Sequence, residues 1–287
     1  MKNNSIRRKV LNFPVTRILL GSIVVIGLFV VMQALLYNFA NSLELKGNIL
    51  HIIGSGVPAL LCLFSYLLFF KWYEKRKINE LALKHSGKNL FWGFILGCIL
   101  QSLTIGVIYF TSSYSIISIN HFTLIFPALI MAFTTAITEE ILLRGILFRI
   151  LEEKLGSYIA LGISALVFGL LHLGNPNSSI IAALGLAVQA GVLLGATYIY
   201  SRSLWMPIAL HFAWNFMQSG IFGAAVSGGS TKNALITSHI EGTTWITGGD
   251  FGPEGSIQAT LFCLIAAVII LYRVKKNNQF ISPFWKA

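Results

Sequence analysis

The chain has 287 residues, of which 55% are hydrophobic and only 11% charged, with a mean hydropathy of +0.75. A soluble domain carries about 25% charged residues, so this composition excludes soluble globular proteins and describes an integral membrane protein. A net charge of +11 would suit a nucleic-acid partner, but the placement of the basic residues along the chain gives them another role.

The N-terminus carries Lys2, Arg7, Arg8, Lys9 and Arg17, followed by an apolar run from Ile18 to Leu36. That run exceeds the ~7–15 residues of a signal-peptide core and no A-x-A cleavage site follows, so it reads as an uncleaved first membrane helix. Crossing a bilayer takes about 20 mostly apolar residues. Eight stretches qualify: Ile18 to Phe39, Ile49 to Phe70, Leu90 to Phe110, Ala128 to Leu151, Ser157 to His172, Ser179 to Tyr200, Leu204 to Phe222 and Ile257 to Tyr272. The expected fold is therefore all-α, a multi-spanning membrane helical bundle forming a single domain over residues 1–287. The connection from Lys71 to Lys88 reads as a basic, amphipathic segment on the membrane surface. A loop over residues 223–255, with eight glycines and the acids Glu241, Asp250 and Glu254, is long enough to be either functional or disordered.

Charge tests this layout. With the N-terminus in the cytoplasm, the inner segments hold eighteen Lys/Arg and the outer segments only Lys46 and Lys232, with Arg144 inside a span. That asymmetry predicts an even number of crossings and two cytoplasmic termini. It also assigns the basic residues to anionic headgroups, with no nucleic acid among the partners. Cys62, Cys98 and Cys263 all lie in apolar runs and read as small buried hydrophobes rather than disulfide or metal-ligating thiols.

The core of the chemistry is expected over residues 122–222. Within the fourth span stands Thr138-Glu139-Glu140-Ile141-Leu142-Leu143-Arg144-Gly145, with three charged residues in six. Each such charge at mid-bilayer costs about 2.5–3.5 kcal/mol or more and marks a functional site by default. Helical spacing splits the cluster. Glu140 and Arg144 are one turn apart and can pair, whereas Glu139 is rotated by about 100° and stays available as a general base. Four histidines, His51, His85, His121 and His239, read as interfacial or solvated. His172 and His211 sit in apolar runs, with Phe168 one turn before the first and Asn215 one turn after the second. At about 1.5 Å per residue the depths of Glu139, His172 and His211 overlap only loosely.

Glu139-Glu140-x-x-x-Arg144, Phe168-x-x-x-His172 and His211-x-x-x-Asn215, in that order over 77 residues, resemble the three signature motifs of the CPBP family. These are the CAAX-protease and bacteriocin-processing (Abi) intramembrane endopeptidases, related to type II CAAX prenyl endopeptidases. The resemblance covers about a third of the chain. A further stretch, Gly248 to Gly255, resembles a glycine-rich segment before the last helix of bacterial members, although a tight helix-capping turn is the preferred reading. The resemblance implies hydrolysis of peptide bonds in a membrane-associated or prenyl/peptide-type substrate. Glu139 and His172 would activate water, His211 and Asn215 would bind the carbonyl oxygen, and Glu140 and Arg144 would support the geometry. It also implies a multi-pass protein of the bacterial plasma membrane, partnered by the bilayer and a peptide or membrane-protein substrate. The site is expected to open toward the cytoplasmic half. The cofactor stays open: a metal-free mechanism is favoured, because no H-E-x-x-H places two ligands on one helical turn. The alternative is Zn²⁺ held by Glu139, His172 and His211 with water in the fourth position. A non-catalytic immunity or scaffold protein using the same pocket is the second functional reading. A transporter built on an intramembrane ion pair is the third, and the absence of an internal repeat counts against it.

Overall fold

A computed structural model describes residues 9–230 and 233–286, so Lys2, Arg7, Arg8 and Lys232 lie outside the described residues. In a bilayer every backbone N–H and C=O must be satisfied within the chain, and helices do this with no edge left open. The apolar runs accordingly become helices. α1 is Pro14–Ser42, α2 Asn48–Tyr73 and α3 Ser86–Phe110. Next comes a 53-residue run, Phe122–Gly174. Gly156 breaks it with a non-helical φ of 75°, giving α4 over residues 126–155 and α5 over residues 157–171. The break is a reversal, since Phe168 on α5 returns to pack its ring 5.2 Å from the Arg144 guanidinium on α4. A side chain at Gly156 would collide with the backbone at Pro283, where the C-terminal tail crosses below the turn. There Ser157 N donates to Ile281 O at 3.0 Å and Ile281 N donates to Ser157 Oγ at 2.8 Å.

α6 is Ile180–Ser201, α7 runs over residues 205–221, and α8 is Ile257–Lys276, begun by Ser256, whose hydroxyl accepts from Ala259 N. Among the described residues, six helices are long and apolar enough to cross a membrane, with α4 and α5 counted as one. α7 is shorter and completes the bundle. The chain is an all-α, multi-pass membrane bundle. A small addition that the apolar pattern did not reveal lies at one end: β1 Tyr114–Ile119 pairs antiparallel with β2 Ile236–Ile240. The residue 223–255 loop is thus folded.

The opposite end is tied by charge. The connection after α2 is pinned to the bundle. Glu80 is buried and accepts from Tyr66 Oη and from Arg76, and its backbone oxygen accepts from Leu204 N at 2.8 Å. Glu74 accepts from Arg17 on α1, Arg149 on α4 and Arg76 at 2.7, 3.0 and 2.7 Å. Burial opposes ionisation of Glu74 and Glu80, but these arginines outweigh it and hold both carboxyls below their ordinary range.

α3 and α7 come closest together. Gly93 and Gly97, one turn apart on α3, lie against the backbone of α7, where an added Cβ would sit 2.3 Å from Met206 O or 2.5 Å from Leu210 O. Small residues at this spacing let membrane helices approach without a side chain between them. His211 and Asn215 follow directly on α7.

Candidate active site

Three of the four π-helical segments gather around the same place: Ile141–Phe148 in α4, Ala187–Val192 in α6 and Met217–Ile221 in α7. π turns are rare and concentrate at functional sites because they displace carbonyls and re-aim side chains. Here Arg144 lies in the first, and its Nη2 donates to the Ala190 and Gly191 carbonyls of the second. Its Nη1 donates to Glu140 Oε1 at 2.8 Å. Both members of this pair are fully buried. The guanidinium also lies over the Phe168 ring, a cation–π contact that gains strength away from water.

Glu140 Oε1 takes a second bond, from His211 Nδ1 at 3.0 Å. Nδ1 is therefore the protonated nitrogen facing the carboxylate, and the ring is held with Nε2 toward the cavity. Glu139 comes from the opposite side, its Oε2 4.0 Å from His211 Nε2. Its side chain is 31% exposed, and among the described residues it accepts no hydrogen bond. His172 stacks on Phe168 with ring centroids 4.6 Å apart. Its Nδ1 lies 2.9 Å from Phe168 O, a contact that makes Nδ1 the donor and leaves Nε2 with a lone pair. Glu139, His172, His211 and Asn215 line one cavity of about 360 Å³.

The structure therefore brings all six expected residues together. Four face the cavity, and Glu140 and Arg144 stand behind them. Glu139, His172 and His211 line one cavity, so the loose overlap of depths anticipated from straight helices does not keep them apart. The expected opening is corrected. The cavity is walled by Asn175 and Pro176 of the α5–α6 connection and by Val226, Ser227, Gly229 and Glu254 of the 223–255 loop. These connections lie at the end of the bundle away from Gly156, Arg202 and the Glu74 network, so the site faces the end that the charge pattern places outside. The chain tightens toward that end around the Gly248–Gly255 stretch, which both caps α8 and forms part of the wall. Its Phe251 is buried against Leu143, Phe168, Ala182 and Leu186.

Comparison with known proteins agrees with this geometry. Residues 120–217 match the family model for type II CAAX prenyl endopeptidase Rce1-like proteins, the segment that carries all three motifs. Over this segment the chain is similar to the CPBP family. A relative is "Putative membrane peptidase YdiL" of Bacillus subtilis (strain 168), 24% identical over 193 residues, covering 62% of this chain and 76% of that protein. No solved structure matches it. The chain is a multi-pass membrane protein similar to a membrane protease family.

Several residues of the candidate site escaped the motif reading. The Glu140–His211 bond is one, since the two residues are 71 positions apart. Gln189 and Gln218 are others, both visible as polar interruptions of apolar runs. Glu254, noted only as a loop acid, is 2% exposed and lines the cavity. As for a metal, no group of three His, Cys, Asp or Glu among the described residues is disposed to hold an ion. His211 Nδ1 faces Glu140 and His172 Nδ1 a backbone oxygen, which leaves the Nε2 of each ring as its remaining ligand or hydrogen-bonding atom.

Proposed function

We propose that the protein is an intramembrane endopeptidase in which Glu139 is the general base for a water attacking a peptide carbonyl. The observation that carries this reading is the division of labour between adjacent carboxylates. Glu140 is buried and bonded to both Arg144 and His211, whereas Glu139 faces the cavity with no hydrogen-bond donor of its own. A base must be within reach of its proton and not already satisfied. Glu139 takes the proton from water as the oxygen bonds to the carbonyl carbon. The same proton passes to the amine nitrogen as the C–N bond breaks. His172 Nε2, with its lone pair toward the cavity, accepts a second hydrogen bond from that water and orients it.

The oxyanion falls to His211 and Asn215, one turn apart on α7. With Nδ1 bonded to Glu140, His211 offers an Nε2–H only as the doubly protonated ring, and a carboxylate on either side supplies the countercharge. Donors of this kind are worth about 2.7–4 kcal/mol of barrier each. The apolar wall of Met131, Leu186, Leu193 and Trp214 favours an apolar segment of a membrane-associated peptide. It would enter from the loop end, which the eighteen-to-two Lys/Arg asymmetry places outside a bacterial plasma membrane crossed eight times. We assign no metal to the reaction.

The test is cleavage of a panel of quenched-fluorescent membrane peptides by purified protein in detergent. Cleavage lost in Glu139→Gln and His172→Ala protein, and kept in chelator, is the expected result. Unchanged cleavage by either variant would remove its assigned role, and activity abolished by chelator and restored by Zn²⁺ would overturn the metal-free assignment. Peptide binding without turnover by wild-type protein would favour the immunity or scaffold reading.

A further inference from the structure

The motifs leave one carboxyl of the cavity without a task. Glu254 is 2% exposed and forms no ion pair among the described residues, although His172 lies near enough to favour its charged form. Its Oε1 accepts from Ser227 N at 2.5 Å and Ser227 Oγ at 2.6 Å. Its Oε2 accepts from Gln218 Nε2 at 3.0 Å. Its backbone oxygen accepts from Gln189 Nε2 at 2.8 Å. These partners belong to three different parts of the site. Gln218 is on α7, two turns past His211. Gln189 is on α6, next to the carbonyls that hold Arg144, and Ser227 is in the outer wall of the cavity. Gln218 Nε2 also donates to Ala225 O at 2.6 Å, so the same two side chains grip the wall at both 225 and 227. A buried carboxyl with no ion pair is costly unless its hydrogen bonds are made. Burial pushes Glu254 above its ordinary range, and the Ser227 and Gln218 donors pull it back.

We propose that Glu254 is a positioning residue of the peptidase site, which ties the cavity wall at residues 225–229 to α7 and so holds the substrate against His211 and Asn215. This rests on the peptidase reading above. A wall contact exists in both the ground and the transition state, so its loss weakens substrate binding more than turnover. A glutamine at this position keeps an oxygen for Ser227 and so preserves the tie at 227, while its NH₂ meets Gln218 only if that amide turns and gives up Ala225 O. The carboxyl charge is therefore dispensable, and the tie is what counts.

The experiment uses the full chain in detergent, with the peptide of the panel that the wild type cleaves fastest. Glu254→Ala raises KM about tenfold while kcat holds within about twofold, and Glu254→Gln recovers most of the difference. In parallel, amide exchange at residues 225–229 rises at least about tenfold in Glu254→Ala, with α4 and α7 unchanged. Exchange unchanged at 225–229 overturns the proposal. So does a rise spread over every helix with kcat lost and KM unchanged, the pattern of a merely structural residue. Should Glu254→Ala fail to accumulate, Ser227→Ala removes one donor and gives the same pattern at smaller amplitude, or the proposal falls. If the wild type cleaves no peptide, the peptidase reading fails while the exchange measurement still decides whether Glu254 holds the wall.

Discussion

Adjacent glutamates with opposite environments make the sharpest prediction at the residue scale. Glu139→Gln removes a half-exposed carboxylate that no donor supports, so cleavage is lost while the melting temperature stays near wild type. Glu140→Gln leaves Arg144 buried beside a neutral amide. Breaking one partner of a buried pair costs about 3–5 kcal/mol, so this variant melts well below wild type or fails to fold. Thermal unfolding and peptide cleavage, measured on both, separate the roles; equal destabilisation would refute the division. That division was legible in the sequence because i and i+4 residues share a helical face. The Glu140–His211 bond was not, since nothing in either local segment says which helix faces which. Glu254 was hidden for a different reason. It lies outside any helical period, in a glycine-rich segment whose backbone path only the folded chain reveals.

Elements show the same split between what a period encodes and what packing decides. The apolar runs were long enough to be found, and hydropathy located each helical leg to within a few residues. Hydropathy says nothing about neighbours, however, nor about the π turns, which arise where an extra residue is accommodated within a helix. The contact of α3 with α7 illustrates this. Gly93, Gly97 and Gly106 look alike in sequence, yet an added Cβ at Gly97 meets Leu210 O at 2.5 Å and at Gly106 meets nothing within 4 Å. Gly97→Ala therefore forces the helices apart, costing about 1–3 kcal/mol as overpacking does, and shifts His211 with reduced kcat. Gly106→Ala is neutral or gains up to about 1 kcal/mol from helix propensity. Melting temperatures and turnover for the two variants check this, and a Gly97→Ala protein as stable and active as the wild type would show that α7 is not seated on that glycine.

For the whole molecule, the basic residues serve two purposes that composition cannot separate. The Lys/Arg asymmetry predicts that one end of the bundle is cytoplasmic, and among the described residues most of those side chains are exposed. Arg17, Arg76 and Arg149 instead converge on Glu74, joining α1, α4 and the connection after α2, far from the proposed chemistry. This network makes stability depend on pH. Glu74 and Glu80 are held below their ordinary value of 4.5. A carboxyl depressed in the folded state contributes stability that is fully present above its unfolded value and is lost as pH falls through the folded one. The contribution of Glu74 and Glu80 should therefore be level from neutral pH down to about pH 5 and be lost progressively below about 4.5. Glu74→Gln removes one of the titrating groups and strands three arginines around a neutral amide. Its melting temperature is lower at pH 7, by the equivalent of about 1–3 kcal/mol for a partly solvated network, and its acid limb is shallower. Melting curves in detergent between pH 3 and pH 8 decide the matter. A wild-type profile flat through pH 3.5, or an acid limb of equal steepness in Glu74→Gln, would mean that the arginines at this end are held by the headgroup region and not by Glu74.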